Sequence, residues 1–333
     1  MKTPFRSIEI FTYVMKLLDS SYEVLSQGPS FDDGLRMIEN IGRTCYKSFD
    51  KMTEDSFHGF VDRMVKSEHY AMLEFFTVYL EVSSLDPGYK DIVKFYEGNR
   101  FSKIITKYYH DKLVSYITTN YRVIIENGRE SDTVYFSSPK DYHRKRYTVR
   151  LYCSRSTSHE CVRSRLASFA QESQRYVLYT KERFGGELTF IIPDKIYRIR
   201  DEVAKYIDPL TGESREYLKE LKGEKLVNEL ICIDRGVSCW YDSMKRDEED
   251  YKYLTLEEEW AAEDARDILP NACKTVLNVC MFDCDWVHFF NLRSLGTTGR
   301  PDPNMKKLVD PILEEFIDKD YIKEDIHGNL YII

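Results

Sequence analysis

Hydrophobic periodicity switches along the chain between helical and strand spacing, and this restricts the chain to folds that combine helices with strands. Between residues 57 and 65, apolar side chains recur at i, i+3, i+4, i+7 and i+8, the pattern of an amphipathic helix. Residues 74–82 are instead rich in aromatic and β-branched side chains, as in a strand. The sequence therefore predicts a helix that is followed closely by a strand.

Other segments are assigned by the same reasoning. Ser30 with Asp33 is typical of a helix start, and this helix is expected to run through Ile41. Thr157 with Glu160 has capping-box spacing, which predicts a helix over 158–166. Further helices are predicted over 7–19, 271–291 and 303–318, strands over 114–125, 147–153 and 186–192, a hairpin over 321–333, and charged surface insertions over 209–225 and 242–252.

Composition is that of an ordinary globular protein. The 333 residues are 42% hydrophobic and 31% charged, and the chain is long enough for a sizeable core. The net charge of −8 argues against binding to a nucleic-acid polymer, but it is compatible with a local basic site. No internal repeat or linker is evident, so we expect a single domain over residues 1–333.

The chain shows no sign of export or of membrane insertion. Its first residues include Lys2, Arg6 and Glu9 without an apolar stretch, and no run approaches the roughly 20 apolar residues of a membrane span. The eight cysteines form no Cys-x-x-Cys pair, so no metal site is expected. We expect a cytoplasmic protein with reduced thiols, without a membrane partner.

Residues 163–176 concentrate the residue types that bind phosphate. Arg163, Arg165 and Arg175 lie among hydroxyl and amide side chains, and guanidinium groups bind phosphate oxygens bidentately. One such segment could hold two phosphorylated ligands side by side. The alternative is a solvated arginine-rich turn without a ligand.

This segment resembles the flavin-binding motif of the flavin-dependent thymidylate synthases. The motif reads Arg-His-Arg, two variable residues, Ser, one variable residue, Asn-Glu, one variable residue, Ser, one variable residue, Arg-Tyr. The matching residues are Arg163, Arg165, Ser168, Ser173, Arg175 and Tyr176. Ser164 stands in place of the motif's His, and Ala170 and Gln171 stand in place of its Asn and Glu.

Further segments are similar to the same family and follow in the same order. They cover residues 42–48, 68–77, 156–163, 263–272 and 286–293. Phe75 takes the place of a flavin-contacting His, and Phe282 takes the place of a flavin-side Asn. Residues at about 84–146 and 194–250 exceed the family's minimum length, which implies two insertions.

The resemblance implies an α+β fold with a mixed sheet flanked by helices. It implies FAD-dependent methylation of dUMP at C5 to dTMP by a homotetramer with shared active sites, with methylenetetrahydrofolate and NADPH as cosubstrates. The residues expected to bind the cofactor are Arg163, Ser164, Arg165, Phe75, Cys45 and His288. Those expected to bind the nucleotide are Glu160, Gln171, Ser173, Gln174, Arg175, Arg266 and Arg293.

Arg293 is the expected catalytic residue, since its guanidinium would stabilise negative charge that develops on the pyrimidine ring. Two alternatives stay open, and the departures at Ser164, Phe75 and Phe282 favour the first of them. One is a relative that binds a pyrimidine nucleotide but has lost flavin chemistry. The other is a relative that transfers a one-carbon unit to a modified pyrimidine nucleotide.

Overall fold

A computed structural model describes residues 15–109, 111–206 and 212–332. The chain divides into two compact units. The larger comprises residues 20–177 and 275–333, and the smaller comprises residues 1–19 and 178–274. The single domain with insertions at about 84–146 and 194–250 stays a prediction.

The bounds of the strands and helices are as follows. The strands are β1 Lys16–Leu18, β2 Ser21–Leu25, β3 Thr77–Ser83, β4 Lys103–Tyr109, β5 Lys112–Asn120, β6 Arg146–Ser154, β7 Ser168–Gln171, β8 Thr189–Ile191, β9 Lys274–Phe282, β10 Lys323–Glu324 and β11 Leu330–Tyr331. The helices are α1 Phe31–Tyr46, α2 Ser56–Lys66, α3 Tyr89–Gly98, α4 Tyr121–Glu126, α5 Arg155–Cys161, α6 Asp194–Tyr206, α7 Gly212–Glu220, α8 Gly223–Ile231, α9 Arg235–Lys252, α10 Ala262–Ala265, α11 Asp283–Phe290 and α12 Pro303–Asp318.

A four-stranded sheet in the order β2-β6-β9-β7 forms the centre of the larger unit. The arginine-rich segment enters this sheet as β7, which pairs antiparallel with β9 and places Ser168 opposite Cys280. An aromatic cluster that includes Trp286, Phe290 and Phe316 joins α11 and α12 to the core of this sheet. The pairing of β7 with β9 fixes where the motif lies.

A second sheet of the larger unit has the order β3-β5-β4. Both of its ladders are antiparallel, and its core packs with α1 and α2 through apolar residues such as Ile38 and Phe57. The predicted insertion at about 84–146 supplies β4, β5, α3 and α4. This segment is therefore a structured part of the larger unit.

The smaller unit pairs β1 with β8 in parallel and contains α6 to α10. The segments expected as charged surface insertions largely form helices. Leu226, Val227 and Leu230 of α8 are fully buried, so this helix packs an apolar face. The helix predicted over 7–19 lies outside the described residues up to residue 14, and it is wrong for Lys16–Leu18, which form β1.

The helix predicted over 271–291 is wrong in its first half. Lys274–Phe282 form β9, and only Asp283–Phe290 are helical as α11. β9 is buried on both faces, so its apolar residues do not alternate with exposed polar ones, and periodicity alone does not distinguish it from a helix. The helix predicted over 158–166 instead spans Arg155–Cys161 and has Ser154, not Thr157, as its N-cap.

Other predictions are confirmed. Ser30 and Asp33 form a complete capping box at the start of α1, and α12 spans Pro303–Asp318 as expected. The α+β class is confirmed by the combination of packed helices and sheets. Across the three described ranges, every helix is too short or too polar to cross a membrane.

Two helical glycines give a matched test of how α1 packs against the core. A Cβ on Gly34 in α1 would overlap the buried Phe76 ring, whereas a Cβ on Gly59 in α2 would meet only the Arg63 side chain at 3.6 Å. We expect Gly34→Ala to lower the free energy of unfolding by about 1–3 kcal/mol. Gly59→Ala should raise it by about 0.5–1 kcal/mol, because Ala favours a helix. Urea denaturation measures both, and an equally stable Gly34→Ala variant would contradict the packing of α1.

Candidate functional site

Two segments that are far apart in sequence enclose a cavity of about 420 Å³ in the larger unit. Its polar wall comprises Arg163, Ser164, Arg165, Asp285, His288 and Arg293. Five of these six residues were predicted from the sequence as cofactor-binding or catalytic. The structure therefore brings most of the expected cofactor residues together with Arg293.

The local backbone explains this convergence. After α5, successive turns carry the chain into β7, with Ser164 N donating to Cys161 O at 3.1 Å and Ala167 N donating to Ser164 O at 3.2 Å. β7 pairs with β9, and α11 follows β9 without a loop. The residues before β7 and those in and after α11 therefore lie at the same end of the sheet.

Arg293 is held by Glu160, another residue that the sequence singled out. Its Nη1 lies 3.1 Å from Glu160 Oε2, and its Nη2 donates to the Glu160 carbonyl oxygen at 3.1 Å. Arg293 lies in a π-helical turn over Asn291–Leu295, and Glu160 lies in α5. The two contacts fix the position of the guanidinium, so the structure gives Glu160 a contact with Arg293.

Asp285 is a cavity residue that the sequence reasoning missed. It lies three residues before His288 in α11, a spacing that places both on one face of a helix. Burial raises the pKa of its carboxyl group and the charge of Asp283 acts in the same direction, while the charges of Lys103, His288 and Arg146 lower it. The i, i+3 spacing was the available signal, because the helix prediction already covered both residues.

The second half of the motif lies beside another cavity, of about 600 Å³. Ser173 N donates to the carbonyl oxygen of Cys45 at 3.0 Å, and Cys45 lines this cavity. Ser173 Oγ accepts from Arg175 N at 3.2 Å, and the Arg175 guanidinium lies 5.3 Å from the Tyr176 ring. Burial raises the pKa of the Cys45 thiol to about 11, so this thiol is protonated at neutral pH.

The two glutamines of the motif differ in their hydrogen bonding. Gln171 Nε2 donates to Ser158 Oγ at 2.7 Å and to Thr275 Oγ1 at 3.2 Å. Gln174 Nε2 is buried without a hydrogen-bond acceptor among the described residues. Gln171 therefore supports the link between α5 and β9, and its expected nucleotide contact stays a prediction.

Phe75 and Phe282 belong to the core. Phe75 is 1% exposed and packs with Met37 and Ile41 of α1. Phe282 is 4% exposed and carries Arg146 over its ring at 5.6 Å. The Phe75 side chain has almost no exposed surface for the expected flavin contact, because its neighbours cover it.

Arg266 lies in the smaller unit, in a 3₁₀ turn over Arg266–Ile268. Its guanidinium is exposed, and its Nε lies 4.0 Å from a carboxylate oxygen of Asp267. The expected phosphate contact of Arg266 stays a prediction. Within the described ranges, no group of three or more His, Cys, Asp or Glu side chains is placed to hold a metal ion.

Comparison with protein families gives a match over the region that contains this site. A profile of the thymidylate synthase complementing protein family matches residues 144–320, more than half of the chain. The chain belongs to this family. The matched region includes β6 to β9, α11 and every polar residue of the 420 Å³ cavity.

Individual relatives carry the same family name. A flavin-dependent thymidylate synthase of Pyrococcus furiosus is 30% identical over 171 residues, which are 51% of this chain and 54% of that protein. A flavin-dependent thymidylate synthase of Thermococcus kodakarensis is 32% identical over 171 residues, with the same shares. The chain thus spans about half the length of these relatives.

Similarity to solved structures is weaker. A UMP/dUMP methylase PolB from Streptomyces cacaoi, bound with 5-Br dUMP, has a TM-score of 0.40 at 15% identity and covers 91% of this chain and 93% of its own. Thymidylate synthase X from Helicobacter pylori, with FAD and dUMP, has a TM-score of 0.34 at 13% identity, with coverage of 89% and 92%.

Gln171 offers a direct test of the geometry around β7. Because Gln171→Ala leaves the buried hydroxyl groups of Ser158 and Thr275 without this donor, we expect it to lower the free energy of unfolding by about 1–3 kcal/mol. Ser173→Ala is the matched control, since its hydroxyl contact is exposed, and it should cost below about 0.5 kcal/mol. Equal urea midpoints for the two variants would contradict the inward position of Gln171.

Proposed function

We propose that this chain binds FAD and methylates dUMP at C5 to dTMP, with methylenetetrahydrofolate as the one-carbon donor and NADPH as the reductant. The observation that carries the proposal is the meeting of Arg163, Ser164 and Arg165 with Arg293 at one cavity. Family membership and the names of the relatives support the same reaction. The expected cytoplasmic location is part of this proposal.

The residues of the cavity fit a flavin nucleotide chemically. Arg163 and Arg165 are exposed cations suited to a pyrophosphate, and Leu166 and Leu292 offer apolar surface to a flat ring. A volume of about 420 Å³ is within the range of small-molecule sites. When bound, the reduced flavin supplies the hydride, and His288 and Ser164 provide polar contacts at the cavity wall.

Arg293 has the role of a fixed positive charge. A guanidinium that is already held in place can stabilise negative charge on a pyrimidine ring without reorganising during the reaction. The two contacts with Glu160 provide this fixation. Glu160 is accordingly proposed to act on the nucleotide through Arg293.

The nucleotide phosphate is assigned to Ser173 and Arg175, which lie beyond β7. Gln174 adds an amide that is available as a donor. Arg266 is proposed as a further phosphate ligand on the basis of the family resemblance. A homotetramer with shared active sites is proposed on the same basis.

A second candidate function is binding of a pyrimidine nucleotide without flavin chemistry. The burial of Phe75 in the core favours it, because a flavin contact expected of the family is missing there. Ser164 also provides a hydroxyl where an imidazole is expected. One-carbon transfer to a modified pyrimidine nucleotide is the further alternative, and it differs only in the acceptor.

The visible spectrum of the purified protein distinguishes these functions. FAD should shift its absorption bands on titration, and NADPH oxidation should depend on added dUMP. Mass spectrometry of the reaction with methylenetetrahydrofolate should detect dTMP, and a panel of pyrimidine nucleotides tests the acceptor. Absence of FAD uptake at high micromolar FAD would refute the proposed reaction and favour the nucleotide-binding function.

Substitution of Arg293 tests its assigned role. Arg293→Ala should lower kcat for dTMP formation by about 10²–10³-fold, because the developing charge loses its fixed partner. Arg300→Ala is the control, since Arg300 is an exposed arginine outside the cavity lining, and it should retain wild-type kcat. An unchanged kcat in Arg293→Ala with FAD still bound would contradict the catalytic assignment.

A further inference from the structure

Asp285 is the one carboxylate in the lining of the 420 Å³ cavity among the described residues, and it is half-buried. No hydrogen bond or ion pair joins it to another residue of the described ranges. The neighbouring acids are satisfied within the protein, since Asp283 is paired with Arg144 at 2.8 Å and Glu160 with Arg293 at 3.1 Å. The cations Lys103, His288 and Arg146 act on Asp285 only through space, so its carboxylate oxygens stay available to accept from a ligand donor.

Arg293 provides the complementary group in the same lining. Two of its five N–H donors are used on Glu160, which leaves the others for a ligand. Asp285 lies in α11, and Arg293 lies in the turn that continues this helix. The cavity therefore presents an acceptor and a donor from consecutive helical turns, with apolar surface from Leu292.

We propose that Asp285 and Arg293 together recognise the edge of a cyclic imide, a ring N–H between two carbonyl groups. The ring N–H donates to the Asp285 carboxylate, and an adjacent carbonyl oxygen accepts from Arg293. This inference rests on the proposed function, because the uracil ring and the pyrimidinedione ring of a flavin both carry this edge. Asp285 is thereby the residue that determines specificity for the ring.

The same pairing excludes a cytosine ring. The equivalent ring nitrogen of cytosine has no proton, so it places an acceptor opposite the Asp285 carboxylate. Sites that are built to hydrogen-bond a polar group reject analogues that leave their own groups unpaired. Asn in place of Asp could either accept from an N–H or donate to a bare ring nitrogen, and it would relax this selection.

Binding measurements on the whole chain test whether the recognised imide edge belongs to the uracil ring of a nucleotide. Calorimetry with dUMP and dCMP should show that the wild-type protein prefers dUMP by about tenfold or more, and that Asp285→Asn lowers this preference by about tenfold. N3-methyl-dUMP, which lacks the ring N–H, should bind the wild-type protein about tenfold more weakly than dUMP. The ratio of affinities is informative because a merely structural role of Asp285 would weaken both nucleotides alike.

A second set of titrations, the flavin arm, tests whether the recognised imide edge belongs to the flavin. Absorbance titrations compare FAD with its N3-methyl analogue on the wild-type protein and on Asp285→Asn. Loss of selection in this arm alone assigns the edge to the flavin, and loss in the nucleotide arm alone assigns it to uracil. Either result supports the inference.

Controls separate the possible failures. Asp283→Asn alters a carboxylate of the same helix that is already paired with Arg144, so it should leave both ratios at the wild-type value. Asp285→Glu keeps the carboxylate and should restore selection if Asp285→Asn folds poorly by circular dichroism. Wild-type ratios in Asp285→Asn in both arms would overturn this inference alone. A wild-type protein that binds neither FAD nor dUMP would overturn the proposed function as well.

Discussion

The short antiparallel pairing of β7 with β9 is the constraint on which the site depends. It covers only four residue pairs, from Ser168 opposite Cys280 to Gln171 opposite Leu277. The turns before β7 carry Arg163 and Arg165, while β9 leads directly into α11. Because both connections are short, this register determines which side chains of the two segments meet at the 420 Å³ cavity. A change of one residue in register would invert the faces of β7 and move its buried residues out of the core.

Specific partners hold the polar residues around this pairing. Glu160 holds Arg293 from α5, and Gln171 links α5 to β9 through the hydroxyl groups of Ser158 and Thr275. Arg146 donates to Ser168 Oγ at 3.3 Å and to the Glu74 carbonyl oxygen at 3.0 Å. Each of these contacts fixes a side chain of the larger unit near β7. The site is therefore preorganised by groups that satisfy one another, which is what electrostatic stabilisation of a charged intermediate requires.

Residues that the sequence singled out meet at one cavity, whereas several of the predicted helices and strands differ from the structure. Arg163, Ser164, Arg165, His288 and Arg293 were named from their positions in segments that resemble the family, and all five line one cavity. The helix expected over 271–291 failed over β9, since a strand buried on both faces has no period-two alternation. Phe75 also differed from expectation, because a position in a motif does not reveal that Met37 and Ile41 will cover the side chain. Asp285 was missed because it lies just before the segment 286–293 that resembles the family. Its spacing from His288 nevertheless places both side chains on one helical face.

The central claim is that the base of a pyrimidine nucleotide lies in the cavity between residues 163–165 and α11. Crystals grown with 5-bromo-dUMP and FAD would locate the base directly, since bromine gives an anomalous signal. The account predicts a bromine peak inside the 420 Å³ cavity, with the ring in contact with Arg293. A peak in the 600 Å³ cavity beside Cys45, or elsewhere on the protein, would contradict it.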